Sequence, residues 1–337
     1  MKKESGKSVN VYSNNPKPED DIPEDFYSYA LIKIQENLSK SEIEILRNIK
    51  LNRKVIKKCV MNIPYNLYLT GMGEQLIEHF YKKWEIKKIL IKIPAELTRN
   101  NEPLFLSSSQ YGNMCKIIYI VLTQELPSLK NLTDYFKEII TLLNKLDLPV
   151  TWITPSGLKI KYSQIKLKSI KTKTKLISNS RPVTISLPTD NTNKIKMIRS
   201  FMPNFIHSLD AANVHILLEL LAEIDNIPVY TVHDCFASTP NNMFLLEDKV
   251  KKAFIDIYFK DDGYLQKMHN NIIEQIEATT GIIKLDGKVY IDVKPRIEMP
   301  DFPQAFKNKD MKEFIKGLLN SKYFIGLLKS FFNYLLF

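Results

Sequence analysis

The sequence predicts an α+β fold in which helices predominate and short strands lie between them. Apolar residues recur at helical spacing in several stretches, and short runs rich in β-branched residues separate them. Glycine is scarce, with 10 residues in 337, and the chain contains neither a GxGxxG nor a GxxxxGK[ST] sequence. Any bound phosphates would therefore contact side chains rather than a glycine-rich loop.

Helices are predicted over most of the first 150 residues. Residues 1–25 are polar, rich in proline and acidic at their end, which predicts an irregular lead-in. After a capping Ser39, apolar residues at helical spacing predict one or two helices that end at Pro64. The β-branched run in KKILIKIP predicts a short strand. Further helices are predicted over residues 73–84, 110–126 and 132–146.

A strongly basic segment runs from Lys159 to Arg199. It contains eleven Lys or Arg residues and one acid, Asp190, so its formal charge of +10 accounts for nearly all of the chain's +11. Lysines alternate with small or apolar residues in KSIKTKTKLI, which predicts a β-ribbon with one basic face. Such an excess favours a polyanionic partner such as nucleic acid, and the alternative is a solvated loop without a partner.

The last third of the chain combines a long helix with a polar strand end. Pro203 predicts the start of a helix over residues 204–224. After the break at Pro228, VYTVHDCFAS has a strand pattern that carries His233 and Asp234. Another helix is predicted over residues 244–259.

Targeting and membrane signals are weak. Three widely spaced cysteines indicate neither a disulfide framework nor a zinc site, which favours a reducing compartment. The N-terminal MKKESGKSVN lacks the apolar core of a secretory signal. Residues 323–337 are apolar, yet too short to span a bilayer and interrupted by Lys329. We expect no stable membrane insertion and interpret this stretch as an amphipathic or docking helix.

Two cations mark a candidate phosphate site. Arg53 and Lys57 lie four residues apart on a predicted helix and therefore on one face, which Met61 continues. The break at Pro64 places Tyr65 just beyond the helix, where its ring could lie under a ligand held by Lys57. The alternatives are a solvated basic face and a tyrosine that belongs to the core.

Asp234 is the best candidate metal ligand. A carboxylate that ends an apolar, buried strand must be paired, hydrogen-bonded or bound to a metal. Its neighbour His233 would orient a ligand or pack in the sheet. His207, near the start of the predicted long helix, could contact a ribose hydroxyl or a phosphate, and the alternative is a capping or core histidine.

Three motifs occur in a fixed order. They are RKVIKKCVMNIPY with Arg53, Lys57, Met61 and Tyr65, PNFIHSLDA from Pro203, and VHDCFAS from Val232. In this order they resemble the single-subunit, bacteriophage-type DNA-dependent RNA polymerases, which include mitochondrial enzymes. The first resembles their fingers-helix motif RxxxKxxxMTxxYG, and VHDCF resembles their second catalytic palm motif. LPVTWITPSG is similar to the stretch before their template-binding region, and CVMNIPYN is similar to polymerases of fungal linear mitochondrial plasmids.

The resemblance implies the mostly helical fingers and a partial palm of a right-hand polymerase. Residues 26–200 would form a fingers-like region with the fingers helix and the basic segment. Residues 201–324 would form a palm-like region with a catalytic hairpin, and residues 325–337 would be a C-terminal extension beyond the usual chain end.

The resemblance also implies roles for individual residues. Arg53 and Lys57 would bind the phosphates of an incoming ribonucleoside triphosphate, with Lys57 a candidate proton donor to the leaving pyrophosphate. Tyr65 would help to discriminate ribose from deoxyribose, and His207 would contact the substrate. Asp234 would bind magnesium in a two-metal nucleotidyl transfer that copies a DNA template into an RNA product.

One expected motif is missing from the sequence. The family's first palm aspartate follows an apolar strand and precedes a GxQH-like sequence, and no such pattern occurs before Arg53. SVNVY resembles the sequence just after that motif, so we expect the C-terminal part of a polymerase, with an upstream polypeptide as the candidate source of the aspartate. Asn62 stands for the usual Thr and Asn66 for the usual Gly, which bears on the geometry around Tyr65.

The sequence therefore predicts DNA-templated RNA synthesis by an incomplete C-terminal part of the enzyme, in the mitochondrion. The first alternative is a non-catalytic, nucleic-acid-binding remnant of such a polymerase. The second is a metal phosphohydrolase of the HD type, suggested by His233 and Asp234, although those enzymes place the pair on helices. The third is a DNA polymerase of the related palm family, which typically has an aromatic residue in place of Met61.

Overall fold

The computed structural model describes residues 26–85, 88–173, 182–224, 227–232, 235–259 and 263–303. The predicted lead-in and the predicted C-terminal extension lie outside these residues, as do His233 and Asp234. Helices and short strands alternate along the described chain, which confirms the predicted α+β class.

Helices form most of the body. They are α1 (Phe26–Ser39), α2 (Glu44–Arg47), α3 (Arg53–Asn62), α4 (Leu69–Ile77), α5 (Ser108–Glu125), α6 (Pro127–Lys145), α7 (Lys194–Ala222), α8 (Met243–Tyr258) and α9 (Tyr264–Thr280). The predicted helices before Pro64, near 110–126, near 132–146 and near 244–259 are all present.

The strands form small antiparallel sheets. They are β1 (Tyr81–Glu85), β2 (Lys88–Ile93) and β3 (Leu104–Ser107) in one sheet, β4 (Val150–Ile153) with β5 (Lys159–Tyr162), β6 (Ile165–Lys173) with β7 (Pro182–Thr192), β8 (Tyr230–Val232) with β9 (Cys235–Ala237), and β10 (Ile282–Leu285), β11 (Lys288–Ile291) and β12 (Ile297–Glu298) in the last. The strand predicted in KKILIKIP is β2.

One predicted helix is partly wrong. The sequence predicts a helix over residues 73–84, but α4 ends at Ile77 and Tyr81–Glu85 forms strand β1. The two strands β1 and β2 pair with Tyr81 opposite Lys92. Backbone hydrogen bonds to a neighbouring strand therefore override the local helical spacing of this stretch.

A continuous core joins the helices. Helix α1 packs against α3 and α5, whereas α7 packs against α6 and α8. Phe201 and Phe205 on α7 are 1% and 0% exposed, and their rings stack with centroids 5.6 Å apart. Trp152 on β4 meets both of these rings edge-on. Because rings are packed on several sides of α7, the direction in which its polar residues point is fixed by the core.

Pro203 lies inside α7 and does not open it. The prediction of a helix start at Pro203 is therefore wrong by nine residues, since α7 begins at Lys194, where the Asn193 side chain accepts a hydrogen bond from the Lys196 N–H. A proline in a helix interior leaves the carbonyl four residues earlier without its usual donor. That carbonyl belongs to Arg199, and the Asn66 side-chain nitrogen lies 3.4 Å from its oxygen.

The predicted β-ribbon is present as β6 and β7. Their register pairs Ile170 with Ile185 and Lys168 with Leu187. Side chains alternate between faces along a strand, so Lys168 and Lys171 lie on opposite faces. The expectation of one basic face is therefore wrong, because Lys168 shares its face with the exposed isoleucine pair.

Helix α7 is long and apolar enough to cross a membrane when it is judged by length and composition alone. In the described structure many of its apolar residues lie in the core, with Phe205, Leu209 and Leu217 each 0% exposed, although Ile195 and Leu218 are exposed. A buried helix of a folded domain passes the same test of length and composition.

Candidate active site

The site is organised by α3, whose two faces have different environments. Asn52 caps the helix by accepting a hydrogen bond from the Val55 N–H at 3.0 Å. Ile56 and Cys59 are each 0% exposed, so one face is anchored in the core. Arg53, Lys57 and Met61 form the opposite, exposed face, as the spacing predicts.

The buried face of α3 contributes no nucleophile. Burial raises the pKa of the Cys59 thiol from 9.0 to about 12 and that of Cys115 on α5 to about 11. Both thiols therefore stay protonated and uncharged at neutral pH. The chemistry of α3 must come from its exposed face.

The two cations of that face converge on one aromatic ring. The Arg53 guanidinium carbon lies 5.1 Å from the centroid of Tyr27 on α1, and the Lys57 ammonium lies 5.8 Å from the same centroid. Both distances are within the range in which a cation is attracted to the negative face of an aromatic ring. Tyr27 therefore brings the two predicted phosphate-binding side chains together.

The corner that follows α3 presents Tyr65. Pro64 ends the helical stretch, and Asn66 adopts a left-handed backbone conformation with φ of 61°. Asparagine tolerates this conformation better than most residues, so Asn66 can occupy a position where the family usually has glycine. Its side-chain nitrogen donates to the Tyr68 hydroxyl at 3.0 Å, and it lies within reach of the Arg199 carbonyl on α7.

Tyr65 meets His207 across the site. Their ring centroids are 5.3 Å apart, with an angle of 39° between the ring planes. His207 is 63% exposed, and its Nδ1 atom lies 3.8 Å from an oxygen of Asp210, one turn further along α7. The histidine is therefore neither a core residue nor a helix cap, and its imidazole is largely exposed beside Tyr65.

The core fixes the position of His207. Its neighbours Phe205 and Ile206 are buried, which turns the histidine to the opposite side of α7. Ser208 accepts a hydrogen bond from the Trp152 indole N–H at 3.0 Å. Trp152 belongs to the LPVTWITPSG stretch, so this motif packs against the helix that carries His207.

The predicted metal ligand lies outside the described residues. Strands β8 and β9 pair with Val232 opposite Cys235, and Asp234 and His233 fall between these two residues in sequence. The expectation that β8 is buried is wrong, since Tyr230 and Val232 are each 67% exposed. Within the described ranges no three His, Cys, Asp or Glu side chains form a group that could hold a metal ion.

A cavity of about 270 Å³ lies behind the Tyr65 corner. Ile63, Asn66 and Leu67 line one side of it, and residues of α5 and α6 line the other. Lys137 on α6 pairs with Asp134 at 3.2 Å and also lies over the Tyr68 ring, which Arg199 approaches as well. The corner is therefore held from behind by polar contacts as well as by apolar ones.

The structure brings four of the predicted residues together in two pairs, and each pair lies beside a residue that was not predicted. Arg53, Lys57, Tyr65 and His207 lie along the α3 face or beside the corner that follows it. Tyr27 and Asp210 were not predicted. Asp210 has a local signal, because it lies three residues after His207 on one helix face, whereas nothing in the sequence around Tyr27 indicates contact with α3.

Comparison with known proteins places the chain in a family. Residues 2–312 match the family model of DNA-dependent RNA polymerase. The chain is 48% identical to the "Probable DNA-directed RNA polymerase" of Agaricus bitorquis over 97% of this chain and 32% of that protein. It is 32% identical to the protein of the same name from Neurospora crassa, over 91% of this chain and 36% of that protein. The mitochondrial DNA-directed RNA polymerase of Mus musculus is 25% identical over 74% of this chain and 20% of that protein.

The chain belongs to the DNA-dependent RNA polymerase family. Within that family its resemblance to the single-subunit, bacteriophage-type enzymes is confirmed. The chain spans about a third of the length of the two fungal relatives. The activity of those whole proteins is therefore a proposal for this chain.

Proposed function

We propose that the chain takes part in DNA-templated RNA synthesis as one part of a single-subunit RNA polymerase. The observation that carries the proposal is the contact between Tyr65 and His207, whose ring centroids lie 5.3 Å apart although the residues come from motifs more than a hundred positions apart. Arg53 and Lys57 lie on the exposed face of α3, the helix that precedes Tyr65 in the chain. A nucleoside triphosphate needs cations that bind its phosphates and further groups that contact its ribose, and these two pairs of residues offer both.

The spacing along α3 suits such a substrate. A helix rises 1.5 Å per residue, so α3 extends about 7.5 Å from Lys57 to its last residue, Asn62, and Tyr65 lies in the turn that follows. Lys57 and Arg53 would bind the phosphates by charge-assisted hydrogen bonds. Tyr65 and His207 would bind the ribose, and Lys57 would donate a proton to the pyrophosphate that leaves. The cationic residues would also stabilise charge that develops on the phosphoryl oxygens.

Asp234 would supply a carboxylate for magnesium. Hard cations prefer oxygen ligands, and the metal ions of nucleotidyl transfer neutralise charge on the reacting phosphate. Within the described ranges no cluster of three potential ligands offers an alternative. We therefore propose that an upstream polymerase polypeptide supplies the second carboxylate. The exposure of Tyr230, Val232 and Phe244, at 67%, 67% and 85%, supports a missing partner surface around β8.

The basic segment would bind the DNA template or the RNA product. Lys166, Lys168 and Lys171 are exposed on the β6–β7 ribbon, and Lys159 and Lys161 precede them on β5. Binding through phosphate contacts releases counterions, so affinity should fall steeply with salt. Mitochondrial relatives, such as that of Mus musculus, support a mitochondrial location for the chain.

The test is extension of an RNA primer on a DNA template with magnesium and ribonucleotides. The chain is assayed alone and together with the upstream part of a similar fungal relative. We expect extension only in the mixture, and we expect Asp234→Ala and Lys57→Gln each to abolish it. Tyr65→Phe should keep extension but lower the preference for ribonucleotides over deoxynucleotides about fivefold, since the variant cannot form the hydrogen bond of the hydroxyl.

The same assay separates the alternatives. Template binding without extension in the mixture would indicate a non-catalytic, nucleic-acid-binding remnant. Preferential use of deoxynucleotides by the unaltered chain would indicate a DNA polymerase. The phosphohydrolase alternative loses its basis, because the chain belongs to the polymerase family and because strands rather than helices flank His233 and Asp234.

A further inference from the structure

Tyr27 contacts both cations of the α3 face. Its ring centroid is 5.1 Å from the Arg53 guanidinium carbon and 5.8 Å from the Lys57 ammonium. The tyrosine lies on α1, which comes before α3 in the chain and packs against it. One ring on a neighbouring helix thus contacts two cations that lie one helical turn apart.

This contact opposes two natural tendencies of the cationic pair. Like charges four residues apart on a helix repel each other, and long side chains lose conformational entropy when they are held in one place. The negative face of an aromatic ring attracts both charges without neutralising them. Both cations therefore keep the charge that phosphate binding needs while their positions become restricted.

The position of the ring is itself fixed. Tyr27 is half-buried and packs against the hydrophobic core, which includes Phe26, Ala30 and Ile34 of the same helix. Val55 and Ile56 on α3 are buried as well, so the helix pair is anchored on both sides of the contact. A ring held by the core can orient flexible side chains, whereas a freely exposed ring cannot.

We propose that Tyr27 is a positioning residue of the triphosphate site, which holds Arg53 and Lys57 together for the outer phosphates of a nucleotide. This inference rests on the proposed function of α3. Tyr27 acts through the two cations and need not touch the substrate. It therefore affects binding of nucleotides that carry outer phosphates and not binding of nucleotides that lack them.

The same helix provides a matched control. Tyr29 on α1 also has a cation over its ring, since Lys33 lies 5.8 Å from its centroid, and its hydroxyl donates to Glu125 at 2.8 Å. Neither Lys33 nor Glu125 belongs to the α3 face. Tyr29→Leu thus removes a cation–aromatic contact and a hydrogen bond without changing the proposed site.

The test compares equilibrium binding of a ribonucleoside triphosphate and of the corresponding monophosphate to the purified chain. We expect Tyr27→Leu to weaken triphosphate binding about 3- to 30-fold and to leave monophosphate binding unchanged, because the leucine attracts neither cation. Tyr27→Phe, which keeps the ring, should bind the triphosphate within about twofold of the unaltered chain. Tyr29→Leu should leave both affinities unchanged, and thermal melts of every variant check that it is folded.

Four results would overturn the inference in distinguishable ways. If Lys57→Gln weakens triphosphate binding and Tyr27→Leu does not, Tyr27 has no positioning role and the proposed function of α3 remains. If Tyr27→Leu weakened triphosphate and monophosphate binding equally, the tyrosine would have a general structural effect. If Tyr27→Phe lost as much triphosphate affinity as Tyr27→Leu, the hydroxyl rather than the ring would be responsible. If the unaltered chain does not prefer the triphosphate at all, the proposed function of α3 fails and this inference fails with it.

Discussion

Helix α3 and the β6–β7 ribbon are both basic, yet the protein positions them in different ways. One face of α3 is buried, and Tyr27 on the neighbouring helix holds the exposed cations of the other face. In the ribbon nearly every described residue is exposed, and even the paired Ile170 and Ile185 are 41% and 47% exposed. In the described part of the ribbon, backbone pairing between the two strands and a hydrogen bond from the Thr189 hydroxyl to the Lys166 carbonyl define its shape.

This difference indicates which half of the proposed binding surface is ready before a ligand arrives. A site anchored on a packed helix is organised in the free protein, so binding need not fix it again. A two-stranded ribbon without a packed face is marginally stable by itself, and a partner would complete it. The proposed nucleotide side is therefore organised by the chain itself, whereas the proposed template side would depend on what it binds.

The largest expected effect comes from the core that supports the site. Phe205 is 0% exposed and stacks on Phe201 and Tyr264. Phe205→Ala should lower the free energy of unfolding by about 3–5 kcal/mol, because it removes a ring and leaves a cavity. Urea denaturation followed by circular dichroism measures this change. A loss below about 1 kcal/mol would contradict the picture of a packed support for His207.

A high-pH experiment tests whether the buried face of α3 is dry. Burial raises the pKa of Cys59 from 9.0 to about 12, so the unfolded thiol ionises above pH 9 while the folded one stays protonated. The folded state therefore loses stability as pH rises from 9 toward 12, by about 1.4 kcal/mol per pH unit for one thiol. Urea denaturation at several pH values between about 8 and 10.5 measures this slope.

The control for that experiment is the third cysteine. Cys59→Ala should reduce the slope, whereas Cys235→Ala should not, because Cys235 is exposed on β9. An equal slope in the unaltered chain and in Cys59→Ala would mean that other groups cause the loss and that the α3 face is not sealed from water.

A smaller effect is expected at the start of α3. Asn52→Ala removes the side-chain oxygen that accepts from the Val55 N–H, which should cost about 1 kcal/mol of stability. Asn52→Ser keeps an acceptor and should lie within a few tenths of a kcal/mol of the unaltered chain. If both variants lost the same stability, the cap would not explain where the helix begins.

Local features of the site could be predicted from the sequence, and contacts between distant elements could not. The exposed face of Arg53 and Lys57 follows from helical spacing, and the corner at Tyr65 follows from Pro64. The contact of Tyr65 with His207 was not predicted, and the family resemblance implied only that each residue would act on the substrate. Tyr27 was missed because cation–aromatic contacts between helices leave no periodic signal in the sequence.

The two errors in helix prediction have the same cause. Pro203 is tolerated inside α7 because aromatic packing holds the helix together around it, and Asn66 lies near the carbonyl that the proline leaves without a donor. Residues 81–85 form a strand because β2 is available to pair with it. In both places tertiary contacts outweigh local preference, which a single sequence does not reveal.

The smallest effect on stability is expected in the ribbon. A variant that changes DNA binding there without changing stability would distinguish the ribbon most clearly from α3. Replacing Lys168 and Lys171 by Gln should change the free energy of unfolding by less than about 0.5 kcal/mol, since both side chains are exposed. The same double variant should weaken binding to a DNA template and reduce the slope of log affinity against log salt by about 0.9 for each phosphate that is no longer neutralised. Fluorescence anisotropy with a labelled template at several salt concentrations measures both quantities.

A second double variant separates ribbon contacts from net charge. Lys252 and Lys284 are also exposed, on α8 and β10, so replacing both by Gln removes the same charge from elsewhere. If the ribbon contacts the template, only the ribbon variant should change the salt slope, because diffuse charge affects affinity without removing a specific contact. Equal losses in the two variants would mean that the basic segment attracts nucleic acid through net charge alone. The template side would then lack the defined contacts that distinguish the α3 face.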